Sequence, residues 1–304
     1  MTSRVPVQPL RSLMFVPGHR PRMIDRALGL GEFAPSQLDV AILDLEDGVP
    51  PSEKQNARAA IAAALGRDNR EGRPSRYVRV NAAADLRAAD LAAIVRAGLG
   101  GIVAPKIARA NEVTALAHDL EQCEIAAGLA HGSLRIIASI ESARGLLEAP
   151  AIAASSERVV ALLFGAEDFA LDLGLPARRE AEAADLLHAR SAVVVAAAAA
   201  GKAAIDGIWP DIADEGGLTR DALTARRLGF LGKSLIHPGQ IDRVNRIFSP
   251  SADEVEHARR VIAAFDEGTK HGDGAVALDG TLLDPPIVGR ARRTLSVHDA
   301  IVRR

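Results

Sequence analysis

Eight short apolar runs, each parted from the next by helix-forming residues, constrain this chain more than any other feature. They occupy residues 12–17, 40–45, 77–80, 101–105, 135–140, 159–164, 204–209 and 230–236. Gly, Pro or charge bounds each run and most lack alternation, as expected of strands covered on both faces. Between them, residues 21–30, 53–65, 88–97, 111–127, 143–153 and 177–200 read as helices rich in Ala, Leu and Arg. Eight strands alternating with helices predict an α/β fold, a parallel (β/α)8 TIM barrel in preference to an open sheet. The chain has 304 residues, 48% of them hydrophobic, which is enough for such a core.

The pattern breaks at Ser249-Pro250-Ser251, so residues 1–248 are expected to form the barrel domain and 249–304 an extension. Within the extension, residues 253–267 read as a helix and 286–300 as another. Residues 274–283 read as a hairpin around Asp279-Gly280, a favoured two-residue turn. This helix-hairpin segment is too small to fold alone. It is expected to pack on the barrel or on a neighbouring subunit, as a lid and oligomerisation element.

Charge and composition narrow the function classes. A net charge of -2 offers no electrostatic footprint for nucleic acid or anionic membrane. Aromatic residues make up 3% of the chain, too few for a base-stacking platform. A single cysteine, Cys123, excludes an internal disulfide framework and a cysteine-rich zinc site. The first residues lack an apolar signal core, and the longest apolar run, 192–200, is too short to span a bilayer. A soluble, cytoplasmic protein is expected. Two phosphate-binding patterns fail on context. Gly29-Leu-Gly31-Glu-Phe-Ala34 fits a dinucleotide fingerprint but follows a helix where the mechanism needs a strand. Gly232-Lys233-Ser234 resembles the end of a P-loop, yet Arg227 stands where its first Gly belongs.

The informative residues lie where the strands stop, because a TIM barrel builds its chemistry at those ends. They are Asp44, Glu46, Asp47, Arg79, Asn81, Lys106, Glu141, Glu167, Asp168, Asp206, Asp211 and His237. Glu141 and Asp168 end adjacent strands, so their carboxylates can share one cation. Two carboxylates, with water and substrate oxygen completing the shell, suit magnesium. The plain alternative is that each caps a helix or pairs with an arginine. Arg79 can bind a carboxylate or face a developing oxyanion, or else pair with Glu46 or Asp47. For Lys106 an ion pair with Glu46 or Asp44 is expected ahead of Schiff-base chemistry.

Six motifs then occur in order: Arg11-Ser-Leu-Met-Phe-Val-Pro-Gly18, Leu43-Asp-Leu-Glu-Asp-Gly48, Val78-Arg-Val-Asn81, Ser139-Ile-Glu-Ser-Ala-Arg-Gly145, Phe164-Gly-Ala-Glu-Asp-Phe169 and Gly232-Lys-Ser-Leu-Ile-His-Pro238. Together they resemble the citrate lyase β-subunit and malyl-CoA lyase family of (β/α)8 barrels. The resemblance implies a magnesium-dependent enzyme, with manganese as a substitute, that makes or breaks a C–C bond beside an acyl-CoA carbonyl. It gives Glu141 and Asp168 as metal ligands, and Arg79 as the residue that holds substrate and stabilises the enolate oxygen. Phe15, Arg20 and Arg26 match positions that contact substrate and coenzyme A. Leu283-Asp284-Pro285-Pro286 resembles a C-terminal lid whose Asp is the acid/base and often serves a neighbouring subunit. A homo-oligomer, trimer or hexamer, follows from the same likeness. His188 departs from the pattern, which has Tyr there.

The expected partners are an acyl-CoA and a keto acid, drawn from malyl-, citramalyl-, methylmalyl- or citryl thioesters. An acyl-carrier protein could present the same pantetheine arm. Two other readings remain: a class II aldolase acting on free hydroxy acids, and a non-catalytic barrel subunit of a larger complex.

Overall fold

The computed structural model describes residues 9–33, 37–67, 74–176, 181–271 and 276–303. Eight parallel strands form a closed barrel in sequence order. They are β1 (Ser12–Pro17), β2 (Val40–Asp44), β3 (Ser75–Arg79), β4 (Gly101–Ala104), β5 (Arg135–Ile140), β6 (Val159–Phe164), β7 (Ala203–Asp206) and β8 (Gly232–Leu235). The ring closes where Ser12, Leu13 and Met14 of β1 align with Lys233, Ser234 and Leu235 of β8. Alternate residues point inward. Leu13, Val40, Ile42, Tyr77, Val103, Ile137, Ala161, Leu163 and Ile205 fill one buried cluster inside the barrel. Their opposite faces meet the surrounding helices, which explains the near-continuous apolar runs.

Those helices are α1 (Pro21–Leu28), α2 (Lys54–Leu65), α3 (Ala84–Ile94), α4 (Ala110–Ala126), α5 (Ala143–Ala154), α6 (Ala166–Asp172), α7 (Leu187–Ala199), α8 (Glu215–Leu228) and α9 (Ile241–Phe248). Gly29, at φ 61°, closes α1, so the rejected dinucleotide pattern does follow a helix; its Ala34 lies outside the described residues. Several boundaries differ from expectation; α3, for example, runs Ala84–Ile94 in place of the expected 88–97, and β8 is shorter than the expected 230–236. The helix expected at 177–200 begins at Leu187, after a 3₁₀ turn at Ala181–Leu186, and residues 177–180 lie outside the described set. Gly174, at φ +68°, and Pro176 separate it from α6. The seventh strand stops at Asp206, three residues early. At Gly207 the chain passes so close to β6 that a Cβ would sit 2.8 Å from the Phe164 carbonyl. The sequence also passes over α8, a helix with Gly216 and Gly217 in its first turn, capped by Asp214 and closed by Gly229 at φ 107°.

The described chain divides into two compact units, one of them Leu10–Arg246. From Ile247 onward the second contains α10 (Ala252–His271), a hairpin of β9 (Val276–Leu278) and β10 (Thr281–Leu283), and α11 (Pro285–Val302). Asp279 and Gly280 both have positive φ, 50° and 78°, as a primed hairpin turn requires. The expected hairpin began at residue 274; residues 274 and 275 lie outside the described set. Ala258, Val261, Leu283, Val288 and Ala291 share an apolar cluster within this unit. Among the described residues, no helix is long and apolar enough to cross a membrane.

Candidate active site

At the C-terminal ends of the strands, the loop after β2 wraps around one carboxylate. Asp44 accepts from the amides of Glu46 (2.9 Å) and Gly48 (2.8 Å). A Cβ on Gly48 would lie 2.3 Å from Asp44 Oδ2, so the motif needs glycine there. Lys54, entering α2, ties the same loop down by donating to the carbonyls of Leu45 (2.6 Å) and Glu46 (2.7 Å). Its third bond goes to Asn81 Oδ1 (2.8 Å), whose amide is held in turn by the fully buried Asp90.

Arg79, at the end of β3, lies against this loop. Its Nε and Nη2 form a fork on Asp44, both at 2.7 Å, and Nη1 pairs with Glu46 Oε2 at 3.0 Å. The guanidinium carbon sits 4.7 Å from the Phe15 ring centre, so the cation is stacked as well as paired. Burial opposes its charge, but Asp44, with Glu46 and Glu141, pushes its pKa above the ordinary arginine value. The expected ion pair therefore exists, with Asp44 in place of Asp47. Of the five guanidinium N–H groups, three are committed and the remaining donors can meet a ligand.

Glu141 follows β5 and is 7% exposed. One oxygen, Oε2, accepts from the Lys106 amide at 3.0 Å. The carboxylate is pressed against Gly165 after β6, where a Cβ would sit 2.2 Å from Glu141 Cγ. That contact explains the glycine in the fifth motif. Burial, then the charges of Asp168 and Glu46, push the Glu141 carboxyl up to about 7, against the opposing pull of Arg79. Asp168 is half-buried in the first turn of α6 and lines the same cavity. The cavity holds about 320 Å³. Asp44, Arg79, Glu141 and Asp168 line it, and Phe15, Ile208 and Ile236 contribute apolar wall.

The remaining strand-end residues divide. Lys106 bridges Glu46 Oε1 and Asp47 Oδ2, each at 2.9 Å, so Asp47 replaces the expected Asp44. Burial works against its charge, but the hydrogen bonds it donates to Glu46 and Asp47 raise its pKa above the ordinary lysine value. The two ion pairs favour the charged ammonium, which disfavours Schiff-base chemistry at Lys106. Glu167 lines the cavity from an exposed position. Arg20 and Arg26 are exposed at the start and last turn of α1, outside the cavity lining.

Three residues are not at the mouth. Asp206 points out of the barrel, to Arg190 (2.9 Å) and Lys233 (2.6 Å), because its neighbour Ile205 takes the inward position. Burial raises the Asp206 pKa, but Lys233 and Arg190 together hold it below the usual carboxylate range. Asp211 accepts from the amides of Ala213 and Asp214, fixing a loop. His237 caps a 3₁₀ turn at Pro238–Gln240, its Nδ1 accepting from the Gly239 amide at 3.1 Å. Asp284, in the second unit, is the N-cap of α11 and accepts from the Ile287 amide at 2.9 Å. His188 is exposed at the start of α7.

A hard dication fits this donor set. Among the described residues, no group of three or more His, Cys, Asp or Glu is placed to hold one ion. Glu141 and Asp168 could supply two oxygen donors, which would leave positions for water and substrate, as magnesium prefers. The Glu141 pKa is raised by burial first and by the charges of Asp168 and Glu46 next, and a bound cation would offset those charges.

The model of the HpcH/HpaI aldolase/citrate lyase family matches residues 11–238. Citrate lyase subunit beta of Escherichia coli (strain K12) is 37% identical over 287 residues, covering 94% of this chain and 92% of that protein. A (3S)-malyl-CoA thioesterase of Cereibacter sphaeroides is 35% identical over 294 residues, covering 96% of both chains. The structure of protein CitE from Mycobacterium tuberculosis in complex with magnesium, acetoacetate and coenzyme A aligns with a TM-score of 0.74 at 32% identity. That alignment covers 95% of this chain and 98% of the other.

Proposed function

Because the chain belongs to the HpcH/HpaI aldolase/citrate lyase family, we propose that it is a magnesium-dependent lyase acting on 3-hydroxyacyl-CoA thioesters. It cleaves, or in reverse forms, the C–C bond between a keto acid and an acyl-CoA through a thioester enolate. The observation that carries this reading is the placement of Glu141, Asp168 and Arg79 around one cavity. Relatives that act on citrate and malyl-CoA support it, as does a magnesium- and coenzyme A-bound neighbour.

Glu141 and Asp168 would hold magnesium, which would supply Lewis-acid polarisation and orientation of the keto-acid oxygens. The chain's own groups supply the rest. In cleavage the hydroxyl proton passes to solvent, its electron pair closes the keto C=O, and the breaking C–C bond leaves its electrons on the acyl-CoA half as an enolate, whose oxygen gains charge. Arg79 faces that charge with the donors left free by Asp44 and Glu46. Its fork on Asp44 and its stacking on Phe15 fix the guanidinium before substrate arrives, so no reorganisation is needed at the reacting moment. Phe15, Arg20 and Arg26 are assigned to the thioester half, and Asp284 to protonating the enolate carbon.

A panel of malyl-, citramalyl-, methylmalyl- and citryl-CoA with magnesium tests the reading. Release of keto acid and acyl-CoA together is the expected result. Release of the free hydroxy acid with coenzyme A would instead make the protein a hydrolase, the activity named for the Cereibacter relative. Turnover of free hydroxy acids, with no thioester cleaved, would replace the reading with a class II aldolase.

Asp284 offers a clean separation of chemistry from structure. Asn caps a helix about as well as Asp, so Asp284→Asn keeps the α11 cap while removing the carboxylate. We expect normal folding and keto-acid binding, with proton exchange at the acyl-CoA methyl slowed on the order of a hundredfold. If the lid serves a neighbouring subunit in a homo-oligomer, mixing this variant with Glu141→Gln restores activity once subunits exchange. Unchanged methyl exchange in the single variant would remove Asp284 from the mechanism.

A further inference from the structure

Lys106 follows β4 with φ +54°, a backbone conformation that residues bearing a Cβ seldom adopt. Among the described residues the only other non-glycine with positive φ is Asp279, in the hairpin turn. Glycine or asparagine would accept this conformation more readily. A lysine there implies that its side chain is needed. The geometry shows two separate uses. The amide, aimed by the left-handed turn, donates to Glu141 Oε2 at 3.0 Å and leaves Oε1 uncommitted by that bond. The ammonium meets Glu46 Oε1 and Asp47 Oδ2, both at 2.9 Å. The other oxygen of Glu46 holds Arg79 Nη1 at 3.0 Å.

We propose that Lys106 is a positioning residue that sets the separation of Glu141 from Arg79, through its amide on one side and its ammonium and Glu46 on the other. Its catalytic consequence rests on the lyase reading above, in which Glu141 holds the metal and Arg79 faces the enolate oxygen. Glu46 has two cations to share. Lys106 keeps it turned so that it takes a single N–H from Arg79 and leaves the Asp44 fork intact. Without the ammonium, Glu46 and Asp47 stand beside each other with one counter-charge fewer. Glu46 then draws Arg79 out of register.

The test compares Lys106→Met, which keeps the amide and most of the side-chain volume, with Lys106→Arg, which keeps the charge. Manganese binding to the metal-free proteins is read by electron paramagnetic resonance, and kcat and KM with the thioester that the wild type cleaves fastest. In Lys106→Met we expect manganese affinity and KM close to wild type and kcat lowered about tenfold or more, as misplaced catalytic groups produce. Lys106→Arg should recover part of that loss. A wild-type kcat in Lys106→Met overturns the proposal. So does a joint fall of manganese affinity, kcat and melting temperature, which would make Lys106 a general stabilising residue. A wild type that cleaves none of the thioesters defeats the lyase reading instead. A crystal structure of Lys106→Met then decides the positioning role by itself: displaced Glu46 and Arg79 side chains support it, and unmoved ones overturn it.

Discussion

Glu141→Gln should lower lyase activity on the order of a thousandfold or more, while raising the melting temperature of the metal-free protein. The two effects have opposite signs for one reason. Burial and the charges of Asp168 and Glu46 raise the Glu141 pKa from the ordinary 4.5 to about 7, so the folded protein bears an unfavourable carboxylate above that pH. The penalty is absent below the ordinary carboxylate range, grows as pH rises towards 7 and is complete above it. Glutamine removes it and can still accept from the Lys106 amide. It also removes the charge a dication needs, so the stabilisation that magnesium gives the wild type should largely vanish. Asp168→Asn should weaken metal binding and turnover in the same way. Differential scanning calorimetry at pH 8, with and without magnesium, reads both signs. Full activity of either variant at limiting magnesium would refute the metal assignment.

Arg79→Lys should lower kcat/KM on the order of a hundredfold, the usual scale for a lost oxyanion contact. Lysine preserves the charge but not the planar fork. One ammonium cannot reproduce two parallel 2.7 Å bonds to Asp44, a third to Glu46 and a stacked face on Phe15. The buried Asp44 would lose part of its pairing, so this variant should melt lower than wild type, opposite to Glu141→Gln. Steady-state kinetics across the thioester panel, with melting curves, check both statements. A wild-type kcat/KM would leave Arg79 a structural residue.

The strands were readable because burial on two faces leaves continuous apolar runs, which β1, β5 and β6 match residue for residue. Strand ends then located Arg79, Glu141 and Asp168. What stayed hidden depends on parity and partners. Ile205 faces inward, so Asp206 must face outward, and a period-two count along β7 would have shown it. No such count reveals that Asp44, in preference to Asp47, grips Arg79, since the choice depends on how the loop folds around Gly48. Lys106 is harder still. Its residue type predicts a helical or extended backbone, and its left-handed conformation goes with bonds to Glu141 and Glu46 that lie far away in sequence. Gly165 was visible as a motif glycine, but its reason, the Glu141 side chain against it, lies on the neighbouring strand.

Barrel closure through β1 and β8 also governs how the chain can acquire its shape during synthesis. The first strand of the barrel pairs with its eighth, so the growing sheet keeps two unpaired edges until residue 235 has emerged. Such edges are templates for pairing with other chains. Parallel pairing across long sequence separations is slow, because loop entropy must be spent before those contacts form. The nascent chain is thus most exposed to aggregation just before β8 emerges. Its need for a folding chaperone should depend on β8 more than on any residue of the cavity.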